Sequence, residues 1–319
     1  MELSNQHRQQ VRKRGFNDAH INWMVANGFL QTVTWADVEA NWLEVFPLAR
    51  ATETGGILIT FNPKVEKPTR SLRCDDPFWD TERERFAKYL YPKGSDDPVT
   101  GNSLPADADT HTKIGKCQPF IPTGLKGPDG NFIGPAKIAT EGFFDAMACT
   151  LLAGIPCIGL TAPGHLYGSG LPPYCKGYIG DCDTGIAPNL LGTVVGQARR
   201  RGLKLQILPF RQGHTYAVER HKELHSDAKA GMEELIADLG PVLAASTIAS
   251  LADNLLDPVE FLEQEFKRWD QELHLRWPDH RVILNNGAAA IADASPNNKL
   301  NRDALRDRLA DPKGCSVPK

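Results

Sequence analysis

Two stretches set the fold expected of this chain: Lys137-Ile-Ala-Thr-Glu141-Gly142-Phe-Phe-Asp145 and Tyr178-Ile-Gly-Asp181-Cys-Asp183-Thr-Gly185. Each is a short apolar run that ends in a carboxylate and a turn residue, as a buried strand does where it hands over to a loop or helix. Around them, strand and helix compositions alternate. Strands are expected at 136–140, 156–160, 177–180 and 203–208, with helices at 142–153 and 187–201. That alternation predicts an α/β domain with about four mostly parallel strands joined by right-handed crossovers. In such a sheet, ligands collect at the carboxyl ends of the strands, where these acids stand.

Four carboxylates delivered to one sheet edge repel one another unless something positive lies among them. Asp145 follows Glu141 by one helical turn, so the two can face one way. Asp181 and Asp183 alternate onto the same side of an extended segment. Hard oxygen donors beside a phosphate are the surroundings Mg²⁺ prefers, and Mn²⁺ suits them too. Glu141, Asp181 and Asp183 are therefore candidate metal ligands. All four acids, Asp145 included, are candidate catalytic residues, and Glu141 is the natural general acid/base. The plainer alternatives are a chance Asp-x-Asp and a favourable charge near a helix N-terminus.

The rest of the chain bounds these choices. Its 319 residues allow two or three compact units, and 41% hydrophobic with 24% charged residues is ordinary globular composition. With a net charge of −3, nucleic-acid binding has to come from local patches rather than a global basic field. Seven scattered cysteines without a Cys-x-x-Cys pair argue against a disulfide framework or zinc ribbon. The residues after Met1 are polar and basic, and the apolar stretch 146–164 is broken by Gly154, Pro156 and Pro163. A cytoplasmic protein with no membrane partner is expected.

By composition the chain divides into an N-terminal α+β region (1–110), a catalytic α/β domain (111–212), a helical C-terminal region (213–290) and a flexible tail (291–319). Ser4 and Asn17 are expected to cap two helices, with a third over 35–42, and strands are expected at 57–61 and 69–73. Gly142 leaves room beside the acids. The uncharged loop containing Gly164 and His165 suits backbone approach to a phosphate, although it does not match a P-loop. Arg8, Arg12, Lys13 and Arg14 cluster on the first helix and, with Arg199 and Arg200 at the end of another, are candidate nucleic-acid contacts. The plainer readings are a solvated face for the cluster and, for the last two, the charge that the helix dipole alone would favour.

Glu141-Gly142-x-x-Asp145 followed by Asp181-x-Asp183 across a βαβ unit resembles the Toprim domain, over about 135–210. That module is shared by bacterial-type primases, type IA and type II topoisomerases, overcoming-lysogenization-defect nucleases and recombination-mediator proteins. The resemblance implies a Toprim-like, Rossmann-like sheet, a glutamate acid/base and an Asp-x-Asp pair on magnesium. One departure stands out: Gly185 comes one residue earlier than in the Asp-x-Asp-x-x-Gly run of primases. Arg73-Cys-Asp75 with Lys88-Tyr89-Leu90-x-Pro92-x-Gly94 is similar to a domain that precedes Toprim segments in plasmid, phage and mobile-element replication proteins. That similarity makes Arg73 and Lys88 candidates for nucleotide or backbone phosphate contact.

The function implied is primase-like nucleotidyl transfer on single-stranded DNA or RNA with nucleoside triphosphates, a helicase being a separate partner because no Walker A pattern is present. A Toprim nuclease, and a DNA-binding accessory module with a vestigial site, are the alternatives.

Overall fold

The computed structural model describes residues 2–43, 45–46, 49–50, 53–65, 68–80, 85–90, 118–161, 166, 170–182, 184, 188–209, 218–219, 223–224, 231–268 and 289. They fall into two compact units, one of Met1–Gly134 with Gly168–Gly170, the other of Pro135–Tyr167 with Leu171–Lys319. Residues 118–134 thus belong with the N-terminal unit, and the C-terminal helices belong with the parallel sheet. The segments expected from composition cut the chain differently, because turn-rich composition marks a surface loop as readily as a linker. The tail expected over 291–319 lies outside the described residues.

The first unit begins with α1 (Asn5–Arg12) and α2 (Asp18–Ala26), started by the expected caps: Ser4 Oγ accepts from His7 N–H, and Asn17 Oδ1 accepts from His20 N–H. Then come β1 (Leu30–Val33), α3 (Trp35–Asn41), β2 (Gly56–Thr60), β3 (Arg70–Asp80) and β4 (Arg85–Leu90). The strands form an antiparallel sheet in the order β1-β2-β3-β4. β1 lies between the second and third expected helices, where no strand is expected; four residues between two helices carry too little periodicity to declare one. β3 runs on past Pro77, which has no N–H to give a ladder, because its register against β4 shifts between Arg73 and Phe78. Val33, Val38, Phe46, Leu58, Leu72 and Leu90 are buried together on this sheet. Buried His7 ties α1 to it, its ring nitrogens 2.7 Å from Thr32 Oγ1 and 2.6 Å from Asp75 Oδ1.

The second unit carries a parallel sheet. β5 (Ile138–Glu141) leads through α4 (Phe143–Leu151) to β6 (Cys157–Leu160), and β7 (Gly177–Gly180) leads through α5 (Pro188–Arg201) to β8 (Lys204–Ile207). The strand order is β6-β5-β7-β8, with every pairing parallel. The expected α/β class and its four parallel strands are present. Phe143, Phe144 and Met147 of α4 are buried with Ile158, Tyr178, Ile179 and Leu205 of the sheet.

Further on, β9 (Val218–Glu219) and β10 (Glu223–Leu224) form a two-residue antiparallel pair. α6 (Met232–Asp253) and α7 (Pro258–Arg268) follow. α6 packs on α4, β7 and β8, and bends at Gly240 (φ 73°) just before Pro241. By length and composition alone, α6 is apolar enough to cross a membrane; its first half is nevertheless tucked into this unit, with Met232, Leu235 and Ile236 buried. Leu256, after α6, pairs with Leu205 at the outer edge of β8.

Candidate active site

The chain enters the parallel sheet on β5, steps to β6 on one side, then returns to β7 on the other. The point where strand order reverses therefore lies between β5 and β7, and in open α/β sheets the carboxyl ends of the strands at such a point are where ligands collect. Glu141 is the last residue of β5, and Asp181 follows the last residue of β7. Thr140 pairs with Ile179 across the two strands, and Thr140 Oγ1 also donates to Ile179 O at 2.9 Å. Two acids from the two stretches thus leave adjacent, cross-linked strands about 5 Å apart.

Gly142 makes the turn from β5 into α4. Its φ of 86° is one that residues with a side chain rarely adopt, and its N–H donates to Leu160 O at 3.0 Å. Helix therefore starts at once, and Asp145 stands in the first turn of α4, where its charge suits the helix dipole. A Cβ on Gly142 would come 3.1 Å from Asp145 Oδ2.

Asp181 is buried, 5% exposed, and its carbonyl accepts from Thr184 N–H at 3.0 Å, turning the chain away from β7. Cys182 is fully buried and lies in the turn that the Thr184 N–H to Asp181 O bond closes. Asp183, Gly185, Gly164 and His165 lie outside the described residues.

The wall opposite these acids comes from a part of the chain that motif reading did not connect to them. Gly231, immediately before α6, comes so close to both aspartates that a Cβ there would stand 2.6 Å from Asp145 Oδ1 and 3.3 Å from Asp181 Oδ1. Both carboxylate oxygens are therefore within 3.3 Å of one point. Glu233 N–H, in the first turn of α6, donates to Asp145 Oδ1 at 3.4 Å, and the Glu233 side chain is buried. In sequence, Gly231 and Glu233 carry no signal beyond acids at a helix start.

The donors are oxygen only and partly buried, the kind a hard divalent cation takes. Among the described residues, no group of three or more His, Cys, Asp or Glu side chains is arranged to hold a metal ion. The described pair, Asp145 and Asp181, would need a further ligand, and Asp183 is the one the motif supplies.

Of the basic candidates, two are on the parallel-sheet unit and the others belong to the first unit. Arg199 and Arg200 end α5, which starts beside the acid edge and runs back to the opposite edge of the sheet, roughly 20 Å of helix away. A phosphate held by the acids does not reach them. Arg73, in the first unit, donates to Gln10 Oε1 and lies 5.8 Å from the Tyr89 ring centroid; Lys88 on β4 is exposed. On α1 and just after it, Arg12 pairs with Asp18 at 2.6 Å, Arg8 lies 4.0 Å from the same carboxylate, and Arg14 donates to Tyr89 Oη. Much of that basic cluster is already engaged.

No family model, no curated protein and no solved structure matches this chain.

Proposed function

We propose that this chain is a Mg²⁺-dependent enzyme acting on nucleic-acid phosphodiesters, of the Toprim type, with primase-like nucleotidyl transfer as its reaction. The observation that supports this reading is that Glu141 and Asp181 stand at the carboxyl ends of the two strands where strand order reverses, with Asp145 and Asp181 both within 3.3 Å of one point beside Gly231.

Asp181 and Asp183 would hold the cation, and Asp145 would sit beside them. A Mg²⁺ ion held by these residues would supply charge neutralisation to the phosphate. Glu141 takes the proton of the attacking hydroxyl and returns it to the departing oxygen. The first turn of α6 gives Asp145 the Glu233 N–H but also brings the carboxylates of Glu233 and Glu234, so the negative charge is left for a cation to balance. Gly142 lets the backbone approach a phosphate oxygen. Single-stranded DNA or RNA and nucleoside triphosphates are the substrates this implies, with any helicase a separate protein.

The test incubates purified protein with single-stranded DNA, labelled nucleoside triphosphates and Mg²⁺ or Mn²⁺. New oligonucleotides support nucleotidyl transfer. A shortened template moves the assignment to a nuclease using the same carboxylates. Binding without turnover of either kind contradicts the enzyme reading and leaves an accessory DNA-binding module.

A further inference from the structure

We infer that Gly231 is a positioning residue of the carboxylate site: having no side chain, it lets the start of α6 pack close against Asp145 and Asp181 and so fixes where Asp145 places its oxygens for a divalent cation. The inference rests on the reading of these acids as cation ligands and extends the site to the C-terminal helices.

The backbone at Gly231 is ordinary. With φ −97° and ψ −173° it is extended, a conformation open to any residue, so no turn requires glycine. Its position at the start of α6 would favour Ser, Thr, Asp or Asn, whose side chains satisfy the free N–H groups of a first turn. Here those groups are served in other ways: Gly231 N–H donates to Glu234 Oε2 at 3.0 Å, and Glu233 N–H donates across to Asp145 Oδ1.

What does require glycine is the approach of the acids. A methyl at this position would stand 2.6 Å from Asp145 Oδ1, 3.1 Å from Glu234 Oε2 and 3.3 Å from Asp181 Oδ1. The closest of these atoms ends a short rotatable side chain. Asp145 would therefore swing away at little cost to the fold, losing its contact with Glu233 N–H and its place opposite Asp181. The substitution is thus expected to spare the fold and spoil the site.

The experiment compares wild type, Gly231→Ala and Asp181→Asn by thermal melting in EDTA and by Mn²⁺ binding followed through the electron paramagnetic resonance of free Mn²⁺. Gly231→Ala should melt with wild type in EDTA yet bind Mn²⁺ about tenfold or more weakly, as expected for misplaced support of a ligand. Wild-type affinity in Gly231→Ala, with binding lost in Asp181→Asn, overturns the role of Gly231 and leaves the cation reading standing. No Mn²⁺ binding by wild type overturns both.

If Gly231→Ala is destabilised even in EDTA, the double variant Asp145→Ala/Gly231→Ala is compared with Asp145→Ala alone. Equal melting of these two places the clash at Asp145, as inferred. A less stable double variant places it elsewhere and overturns the inference.

Discussion

At the scale of single residues, the places of the acids at strand ends were legible because each closes a short apolar run. Glu141 and Asp181 announced themselves by ending apolar runs, and the structure seats them on neighbouring strands. Gly231 could not be read this way: it lies 86 positions after Asp145 in sequence, and its closeness to Asp145 exists only once α6 has folded back on α4. The cysteines were legible as well. Cys74, Cys149, Cys157, Cys175 and Cys182 are all buried and in no disulfide. Burial pushes the thiols of Cys74 and Cys175 up to about 11 and that of Cys157 well above its ordinary value. The thiolate is the reactive form. These three should therefore stay unmodified by a thiol reagent at pH 8 in the native protein and react after unfolding, as peptide mass mapping will show. Fast native modification of Cys157 would contradict the packing of α4 on β6.

At the scale of elements, capping signals were the most legible part of the chain. Thr34 starts α3 through reciprocal bonds: its hydroxyl accepts from Asp37 N–H, while Asp37 Oδ2 accepts from Thr34 N–H and Oγ1. Those bonds, first from the Thr34 side chain and then from its backbone, hold the Asp37 carboxyl below its ordinary range. A depressed folded value contributes stability above the unfolded pKa that is lost as pH falls through the folded one. Thr34→Ala should cost about 1 kcal/mol in chemical denaturation at neutral pH and raise the pH at which Asp37 titrates by NMR. An unmoved Asp37 titration would show that the box is not formed. Strand β1 and the reach of β3 past Pro77 were not legible, since short strands and bulges are decided by partners distant in sequence.

At the scale of the whole molecule, alternation of strand and helix told of a parallel sheet, but not which strands would be neighbours. The order β6-β5-β7-β8 is what brings the two acidic stretches together. Nor did composition tell that helices after residue 231 complete the same unit.

Charge is likewise a property of the whole. With a net charge of −3, binding to single-stranded DNA has to be local, each phosphate contact adding a slope of roughly 0.7 in log affinity against log salt. Arg8 and Arg12 already lie within 4.0 Å of the Asp18 carboxylate, so replacing both with Ala should leave affinity and slope nearly unchanged. A slope reduced by more than one contact would show instead that this helix face binds nucleic acid.

The account's central claim is that Glu141, Asp181 and Asp183 carry metal-dependent chemistry. It is tested most directly by measuring turnover on single-stranded DNA with nucleoside triphosphates and Mg²⁺ for wild type, Glu141→Gln, Asp181→Asn and Asp183→Asn. Asp181→Asn and Asp183→Asn should lose turnover while melting in EDTA at or above the wild-type temperature, because removing one of several crowded carboxylates relieves repulsion. Glu141→Gln should lose turnover but keep more of its metal affinity than the aspartate variants do. Wild-type turnover in all three would make these carboxylates structural and contradict the claim.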